Sequence, residues 1–514
     1  MANPYINKVV LGNETLLDLT ADTVTPQTLY SGTTAHDASG QIIVGTMSGG
    51  TEAGAVTQDA DGYLVLDDDP GSSSIAVGSL SVTQNGTYTA PTGTAYSPVT
   101  VNVSGGSSGG DMNDPIRFFD YDGTLVASYS SVPVSLPSVP THNKLTNGTW
   151  NYTLQQVTAQ FNAMGTCDVG ANYDTVSGAT EIDIVLQDGK LHPYLSLAIN
   201  GTVTIDWGDN STDTATGASL TTRKTDIHHE YATAGSYTIK ITPTSGTNYS
   251  LYCTTTYTLL NKNSSTANAN RVYANCVKTV RVGNACTIGD NAFYNCNSLT
   301  LVSIPSTATS IGSSVFKYCY SLVSFVIPSE VTEILDSTFY YCYSLVLISI
   351  PLNTTNVDSN VFYYCYSLTS ISIPSGVTSI GSNAFYCCAS LTSMSIPSGV
   401  TSIGGSMFYC CFSLTSISIP SGVTSIEAST FSNCYSLTSV SISSGITSIR
   451  PSAFASCYGM AEYHFEPTTP PTLANINAFS NIQSDCVIYV PEASLTAYKT
   501  ANNWSTYANY MQGE

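Results

Sequence analysis

Fifteen cysteines are the residues of this 514-residue chain with the widest range of possible chemistry. Thiols can form disulfides, bind metals or fill an apolar core. Eight of them recur every 23 residues, as Cys296, Cys319, Cys342, Cys365, Cys388, Cys411, Cys434 and Cys457. The odd total favours reduced thiols, and metal binding is not expected because no Cys-x-x-Cys pair occurs and no histidine lies between His229 and His464. We therefore predict buried free thiols, no metal and no cofactor.

A second group of candidate ligands is acidic and lies in the segment QDADGYLVLDDDPG. Clustered carboxylates suit Ca²⁺, and this segment contains Asp59, Asp61, Asp67, Asp68 and Asp69. The spacing lacks the closing glutamate of an EF-hand loop, which favours a solvated linker and leaves a Ca²⁺ site as the alternative. The six histidines are scattered, and the adjacent pair His228 and His229 is expected at a strand end.

The segment FFDYDGTL at residues 118–125 resembles the first motif of haloacid-dehalogenase phosphatases. The resemblance implies a nucleophile at Asp120 and a general acid at Asp122. That chemistry needs Asp120 at the end of a central parallel strand that is followed by a helix and further βα units. The residues that follow, ASYSSVPVSLPSVPTHNKLTNGTW, are instead rich in proline and serine. We therefore predict that the motif is catalytically silent and that the protein is not an enzyme.

The ladder cysteines belong to a 23-residue repeat that determines the fold of the C-terminal half. Each cysteine lies three residues after a phenylalanine and three residues before a leucine, which Met460 replaces in the last repeat. The phenylalanines are Phe293, Phe316, Phe339, Phe362, Phe385, Phe408, Phe431 and Phe454. The consensus is IPSGVTSIGSNAFYYCYSLTSIS. Its Leu-x-x-Ile-x-Ile segment alternates like a short strand with one buried face, and proline ends the strand. Ala-Phe-x-x-Cys is expected to form a short helical turn on the opposite side.

This unit resembles the BspA-type leucine-rich repeat family, in which IPxxVxxIGxxAFxxCxxL recurs. The match covers about residues 275–465; Thr354, Val357 and Ser443 are local departures from it. The resemblance implies a solenoid that works by holding a partner, because one coil cannot bury its apolar face and stacked coils can. A final strand and an amphipathic helix with Leu495, Tyr498 and Trp504 are predicted to cover the last coil.

Upstream, the strands EIDIVL, TVTIDWGD and SYTIKITP predict a β domain. The stretches GTVTIDWGDNSTD and HHEYATAGSYTIKI resemble the polycystic-kidney-disease (PKD) repeat over about 50 residues, through Trp207, Gly208, Asp209, His229, Tyr231, Gly235 and Tyr237. This resemblance implies an immunoglobulin-like β-sandwich. Asp209 is then explained by a turn of that domain, although the residues around it imitate an acidic Mg²⁺ motif.

The chain as a whole is predicted to be mainly β and multidomain. Composition and turn signals divide it into an N-terminal attachment module at 1–47, a Gly/Asp-rich linker at 48–78, a small β module at 79–104, a Gly/Ser linker at 105–111, a β domain containing the PKD-like sandwich at 112–258, a leucine-rich-repeat solenoid at 259–465 and a C-terminal cap at 466–514.

Tyrosines cluster around each repeated cysteine, at one and two residues after the phenylalanine and one residue after the cysteine. These positions vary most between the repeats, and stacked coils should turn them into an exposed ridge of phenols that suits binding. We predict that a partner binds Tyr318, Tyr320, Tyr340, Tyr341, Tyr343, Tyr363, Tyr364, Tyr366, Tyr386 and Tyr409. Tyrosine that merely fills the convex face is an equally weighted alternative. The strand face, with Thr369, Ser370 and Ser372, is small and polar and should offer little area to bury.

Charge and hydropathy limit the classes of partner. The net charge is −21, and Lys317 and Arg450 are the only basic residues between 301 and 450, which argues against nucleic acid. No apolar run approaches the roughly 20 residues of a membrane-spanning helix. The first twenty residues lack the basic and apolar regions of a signal peptide, so secretion is not expected.

The segments YINKVVLGNETLLDLTADTVTPQTL and NGTYTAPTG resemble N-terminal pieces of tail-fibre-like proteins from phages and prophages of gut bacteria. The resemblance implies a virion protein that attaches to the particle through its N-terminal module, contacts other virion proteins there and meets a bacterial surface receptor, glycan or protein, through its repeats. A bacterial cell-surface adhesin is the alternative. No coiled-coil heptad sets an oligomeric state, so a homo-oligomer stays open.

Overall fold

A computed structural model describes residues 114–224, 227–253, 259–260, 273 and 275–514, together with the backbone of eight short strands nearer the N-terminus. The chain divides into two compact units, Met1–Gly106 and Ser107–Glu514. The first unit contains four antiparallel hairpins: β1 (Lys8–Leu11) with β2 (Glu14–Asp18), β3 (Thr34–His36) with β4 (Ile42–Val44), β5 (Val56–Gln58) with β6 (Leu64–Leu66), and β7 (Gly86–Tyr88) with β8 (Val99–Val101). The acidic patch at Asp59–Asp69 and the linkers at 48–78 and 105–111 otherwise lie outside the described residues.

A small α/β domain, residues 114–175, opens the second unit, and we call it the cover domain. Its elements are β9 (Ile116–Phe119), β10 (Leu125–Tyr129), β11 (Leu145–Trp150), α1 (Leu154–Met164) and β12 (Cys167–Thr175). The strand order is β10-β9-β12-β11, with β9 and β12 parallel. Helix α1 begins at a capping box formed by Thr153 and Gln156 and ends at Gly165, whose φ of 73° only glycine adopts readily.

The following strands form a second domain, residues 180–251, around a core that includes Trp207 and Tyr231. They are β13 (Thr180–Leu186), β14 (Leu197–Asp206), β15 (Thr212–Lys224), β16 (Gly235–Pro243) and β17 (Asn248–Leu251). The Tyr231 hydroxyl donates to the carbonyl of Trp207 at 2.8 Å, and the indole N–H of Trp207 donates to Asp213 at 2.8 Å. Both polar tips are therefore satisfied inside the core.

This second domain closes the N-terminal end of the solenoid. Strand β18 (Val277–Arg281) pairs antiparallel with β13, and β19 (Cys286–Ile288) pairs parallel with β17. The Arg281 guanidinium also contacts Asp183 and Glu181 at 2.8 and 3.0 Å across the junction. The first coil therefore has no free sheet edge on either side. Its backbone N–H and C=O groups are paired within the chain and cannot pair with a strand of another molecule, which would lead to aggregation.

The solenoid has the predicted 23-residue period, and we number its coils 1 to 8 by the phenylalanines Phe293 to Phe454. A first row of short parallel strands follows the leucine of every coil except coil 4, where Ser370 makes a single bridge to Ser393: β20 (Leu301–Ser303), β21 (Ser324–Val326), β23 (Leu347–Ser349), β26 (Ser393–Ser395), β27 (Ser416–Ser418), β29 (Ser439–Ile442) and β31 (Glu462–Phe465). A second row holds β22 (Glu333–Ile334), β24 (Asn356–Val357), β25 (Ser379–Ile380), β28 (Ser425–Ile426), β30 (Ser448–Ile449) and β32 (Thr472–Leu473).

The Ala-Phe-x-x-Cys segment is a series of turns, so the predicted helical turn is wrong in detail. Each copy contains two residues with left-handed φ, one two positions before the phenylalanine and one two positions after it, such as Asn360 at 58° and Tyr364 at 60°. Two left-handed residues in six prevent a helix from forming. The backbone amides alternate between turn bonds within a coil, as from Tyr363 to the Asn360 carbonyl at 3.3 Å, and bonds to the next coil, as from Phe362 to the Ala384 carbonyl at 2.8 Å.

The core of the solenoid is a continuous stack of phenylalanine rings. Neighbouring rings are nearly parallel, and their centroids lie between 5.2 Å, for Phe431 and Phe454, and 5.7 Å, for Phe385 and Phe408. The ladder cysteines are buried free thiols, as predicted. Each thiol after the first donates to a phenylalanine carbonyl of the preceding coil, for example Cys365 to Phe339 at 3.3 Å. The cysteine is therefore both an apolar filler and a link between coils.

The C-terminal segment covers the last coil as predicted. It contains β33 (Val487–Val490), a 3₁₀ turn at Glu492–Ser494, α2 (Leu495–Thr500), a 3₁₀ segment at Trp504–Tyr510 and β34 (Met511–Gly513). Trp504 packs on Phe479, which extends the phenylalanine stack, and Tyr498 packs on Phe465 and Trp504; both side chains are buried. These rings replace the apolar contacts that a further coil would supply.

Candidate binding surface

The predicted tyrosine site forms three parallel files on the turn side of the solenoid, and we call the ten predicted tyrosines the tyrosine ridge. The first file lies one residue after each phenylalanine and contains Tyr340, Tyr363, Tyr386 and Tyr409. Successive ring centroids are 4.6, 4.5 and 4.7 Å apart, with interplanar angles of 3°, 14° and 13°. The spacing follows the distance between neighbouring strands, so the coils themselves set it.

The second file contains Tyr318, Tyr341 and Tyr364, all with left-handed φ between 60° and 66°. The Tyr341 amide donates to the Tyr363 carbonyl at 2.7 Å, which holds the strained backbone in place. The third file, one residue after the cysteine, stacks Tyr320, Tyr343 and Tyr366 at 5.0 and 5.2 Å. The structure therefore brings all ten predicted residues into one surface.

The expected exposure of these positions is wrong for most of them. Tyr366 is 39% exposed, but the other ridge tyrosines are half-buried, and Asn295, Asn297, Cys387 and Ser432 at equivalent positions are buried. The reason is that stacked rings cover each other's faces. A partner would therefore meet ring edges and hydroxyls, which offer rows of hydrogen-bonding groups about 5 Å apart.

The phenol of Tyr340 in the first file is shifted towards its neutral form. Burial first, and then the neighbouring phenols of Tyr363 and Tyr341, raise the pKa of Tyr340 to about 12. The single cation beside it, Lys317, lies 4.1 Å above the Tyr340 ring, where a cation–π contact extends the first file. Burial also lowers the pKa of Lys317, against the attraction of Asp336.

The strand face, which is the outward surface of the first row of strands, is occupied in coils 2 to 4 by the chain's own cover domain. The Asn151 amide donates to the Ile327 carbonyl at 3.1 Å and to the Ser349 hydroxyl at 2.9 Å. One coil further, the Tyr152 hydroxyl donates to the Ile350 carbonyl at 2.8 Å. Amide and hydroxyl donors of the cover domain thus reach the carbonyl that ends each strand.

The contact continues to coil 4. The Gln160 amide donates to the Ile373 carbonyl at 3.0 Å, and its oxygen accepts from the Ser375 amide at 2.9 Å. Arg117 donates to the Ser370 hydroxyl at 3.0 Å. Gln160 is fully buried, and both its amide nitrogen and its oxygen are paired across the interface.

Gly170 in β12 allows the close approach of the two surfaces. A Cβ at this position would lie 2.5 Å from both methyl groups of Val326 and 3.0 Å from the Ser349 Cβ. Sequence reasoning missed this domain contact because asparagine, glutamine and serine carry no local signal of it. The helix pattern of Leu154, Val157 and Phe161 was the available signal for the domain itself.

The same face is open in later coils. All residues of β21 and β23 are buried, whereas the outward serines of β26 and β27, Ser393, Ser395, Ser416 and Ser418, are exposed. A partner can therefore reach the strand face from coil 5 onwards as well as the tyrosine ridge.

The FFDYDGTL segment forms the turn between β9 and β10. Asp120 is buried, and its carboxylate accepts from the Tyr173 hydroxyl at 2.8 Å and the Tyr121 amide at 2.8 Å and contacts His142 Nε2 at 2.9 Å. Asp122 accepts from the Thr124 amide at 2.9 Å, which is a turn interaction. The carboxylate of Asp120 is thus saturated by protein groups that hold the turn.

A second polar cluster joins Asp209, Ser211 and His229. His229 Nε2 lies 2.7 Å from Asp209 and 3.2 Å from the Ser211 hydroxyl, and the His229 ring stacks on Trp207. The Ser211 amide also donates to Asp209 at 3.0 Å, so this cluster closes the predicted turn between β14 and β15. Hydrogen bonds from Ser211 and His229 outweigh burial and lower the pKa of Asp209.

Among the residues that the structure describes, no group of three or more histidine, cysteine, aspartate or glutamate side chains is placed to hold a metal ion. In the same residues, no helix combines the length and apolar character needed to cross a bilayer.

Comparison with solved structures finds other leucine-rich repeat proteins. A leucine-rich repeat protein from Bacteroides ovatus is 26% identical, with a TM-score of 0.34, over 40% of this chain and 53% of that one. One from T. pallidum is 25% identical, with a TM-score of 0.29, over 35% and 82%. A leucine-rich cell surface protein from Faecalibacterium prausnitzii is 22% identical, with a TM-score of 0.24, over 64% and 93%. The match spans about half the length of the Bacteroides ovatus protein.

Curated proteins yield no match to the chain. The family model described as BspA type Leucine rich repeat region matches six copies, over residues 269–381 and 355–486. These ranges coincide with the coils whose phenylalanine, cysteine and leucine positions build the core. Residues 269–486 of this chain are therefore BspA-type leucine-rich repeats.

Proposed function

We propose that this protein is a non-enzymatic binding protein that recognises a bacterial surface receptor, glycan or protein, through its leucine-rich repeats. We also propose that it does so as a phage or prophage tail-fibre or receptor-binding subunit, with the first unit attached to the particle. The observation that carries the proposal is the solenoid itself, which presents one aromatic surface and a partly covered strand face. The tail-fibre role rests on the likeness of the N-terminal segments.

The tyrosine ridge of coils 2 to 4 is the favoured contact. Coils 2 to 4 carry eight tyrosines and Lys317 at the ridge positions, whereas coils 5 to 8 carry cysteine, alanine, serine or asparagine at several of them. The core positions are fixed by packing and cannot encode a partner. The cover domain fills the strand face of coils 2 to 4. A partner that binds coils 2 to 4 can therefore contact the aromatic side chains of the ridge. Tyrosine is a common hot-spot residue because it brings area, a hydroxyl and little rotational entropy.

Replacing Tyr341 and Tyr364 together with alanine is expected to weaken adsorption to the host bacterium. Both are half-buried in the second file and outside the phenylalanine core, so the fold should persist. Each contact is worth roughly 1–2 kcal/mol if it is a hot spot, which predicts about a hundredfold loss for the pair. Cell-adsorption measurements with labelled full-length protein provide the test.

A matched control replaces Tyr435 and Tyr458 with alanine. These tyrosines belong to the third file in coils 7 and 8, outside the proposed contact, and are 42% and 50% exposed. The control should adsorb like the parent protein. Equal adsorption by all three proteins would assign the ridge a purely structural role and direct attention to the open strand face.

The tail-fibre role has its own test. Antibodies raised against the solenoid should detect the chain in purified phage particles released from an induced culture. Detection in the cell envelope with none in the particles would favour the adhesin alternative. This experiment is independent of which residues bind the receptor.

Absence of phosphatase activity is expected despite FFDYDGTL. The Asp120 carboxylate is buried and engaged by Tyr173, His142 and the Tyr121 amide, so it is poorly placed to attack a phosphoryl group. Full-length protein with Mg²⁺ and an aryl phosphate should show no turnover above buffer. Hydrolysis that disappears in Asp120→Asn would contradict the binding-protein proposal, provided that the variant still unfolds cooperatively.

A further inference from the structure

Two cysteines, Cys387 and Cys410, lie outside the buried ladder. They occupy the second file in coils 5 and 6, where coils 2 to 4 carry tyrosine. Both have left-handed φ, 55° and 58°, so their backbones are alike. Cys387 is buried, with 6% of its surface exposed, and Cys410 is partly exposed. The Cys410 thiol can therefore be reached from solvent, whereas the ladder thiols are buried and, after the first, donate to core carbonyls.

Contacts on either side of the pair limit its separation. The rings of Phe385 and Phe408 are 5.7 Å apart and those of Tyr386 and Tyr409 are 4.7 Å apart. The Cys387 amide donates to the Tyr409 carbonyl at 2.7 Å, which keeps the two coils in register. Equivalent atoms of consecutive coils are thus about 5 Å apart, within the range of roughly 4.4–6.8 Å between Cα atoms that a disulfide spans.

We infer that Cys387 and Cys410 form an oxidisable dithiol, a modification site at which a small-molecule disulfide can introduce a covalent link between coils 5 and 6. The ladder cysteines cannot replace them, because their thiols would have to leave the core and give up their carbonyl contacts. The disulfide would join coils 5 and 6 at the positions where stacked tyrosine rings connect coils 2 to 4.

The reaction begins at Cys410, because its thiol is partly exposed while that of Cys387 is buried. The Cys410 thiolate attacks one sulfur of the reagent disulfide, whose S–S bond breaks and releases one thiol. The Cys387 thiolate then attacks the Cys410 sulfur of the mixed disulfide and releases the second thiol. The two protein thiols lose two protons and two electrons, and the reagent is reduced to two thiols.

The pKa of Cys387 also indicates that Cys410 reacts first. Burial first, and then the neighbouring Cys410 thiol, raise the pKa of Cys387 to about 12, so Cys387 is a poor first nucleophile near neutral pH. Cys410 is instead contacted by Asn433, whose amide lies 3.6 Å from its sulfur. Once Cys410 carries the reagent, proximity favours Cys387 over any thiol in solution.

The test uses the folded, fully reduced full-length protein and 4,4′-dithiodipyridine, which releases a coloured thiopyridone for each attack. Wild type should release two thiopyridones per chain and retain no pyridyl adduct. After removal of the reagent and denaturation without reductant, two of the fifteen cysteines should be missing from the thiol count. Reduction should restore them.

Serine variants locate the reaction. Cys387→Ser should release one thiopyridone and keep a stable pyridyl adduct on Cys410, whereas Cys410→Ser should react at least tenfold more slowly. A stable adduct on Cys410 in wild type would overturn the inference, because it would show that Cys387 does not close the bond. Loss of two thiols in the double serine variant would also overturn it, by placing the disulfide elsewhere.

Discussion

Replacing Phe362 with alanine is expected to lower the free energy of unfolding of the solenoid by about 3–5 kcal/mol. The ring is fully buried between Phe339, at 5.6 Å, and Phe385, at 5.3 Å, so its removal leaves a cavity that two coils share. Because each coil is stabilised mainly by its neighbours, a defect in coil 4 weakens the contact between coils 1–3 and coils 5–8 of the solenoid. Urea unfolding followed by tryptophan and tyrosine fluorescence measures the loss.

Phe412→Ala is the matched control for this prediction. Phe412 belongs to the third file of coil 6 and is 37% exposed, stacked at 4.9 Å on Tyr435. Its removal should cost less than about 1.5 kcal/mol, since most of the ring already faces water or one neighbour. Comparable losses for the two variants would contradict a stacked phenylalanine core.

Replacing Gly170 with valine is expected to displace the cover domain from the strand face. The new Cβ would lie 2.5 Å from the Val326 methyl groups, and the branched side chain would add to the overlap. Overpacking of this kind typically costs about 1–3 kcal/mol. Displacement should also expose Ser324 and Ser349, which are buried beneath the domain. Amide hydrogen exchange should therefore become faster in β9–β12 and in the peptides that contain Ser324 and Ser349.

Gly399→Val provides the control. Gly399 is exposed in a turn, and a Cβ there would meet the Val377 carbonyl at 3.6 Å, an ordinary contact. This variant should keep the parent protein's exchange pattern in residues 114–175. If Gly170→Val also leaves that pattern unchanged, the cover domain does not depend on the close approach at β12.

The repeat could be predicted from the sequence because its signal is local and recurs. Phe, Cys, Leu and Ile return at fixed spacing, and each makes the same contact in every coil, so eight copies reinforce one interpretation. The C-terminal cap was equally accessible, since Tyr498 and Trp504 follow the last repeat in an amphipathic pattern. The turns after each phenylalanine were harder to predict. A left-handed backbone favours glycine or asparagine, whereas this chain has tyrosine there, as at Tyr341.

The domain contacts could not be predicted because they join residues far apart in sequence. Asn151 and Gln160 look like ordinary polar residues until Ile327 and Ile373, about 176 and 213 residues away, present their carbonyls to them. The pairing of β13 with β18 is equally non-local. The expected exposure of the ridge failed for a related reason: the spacing that aligns the tyrosines also lets each ring cover the next.

Hydroxyl-radical footprinting of the full-length protein, with and without host-cell envelopes, tests the central claim most directly. Binding through the tyrosine ridge predicts selective protection of Tyr343, Tyr364 and Tyr366, while Phe412 and Tyr458 in the later coils keep their reactivity. Tyr366 should show the largest change, because it is the most exposed ridge tyrosine. Unchanged reactivity across these three tyrosines, together with protection of His464 and Tyr489, which stack on the outward side of β31 and β33 on the open strand face, would contradict the account.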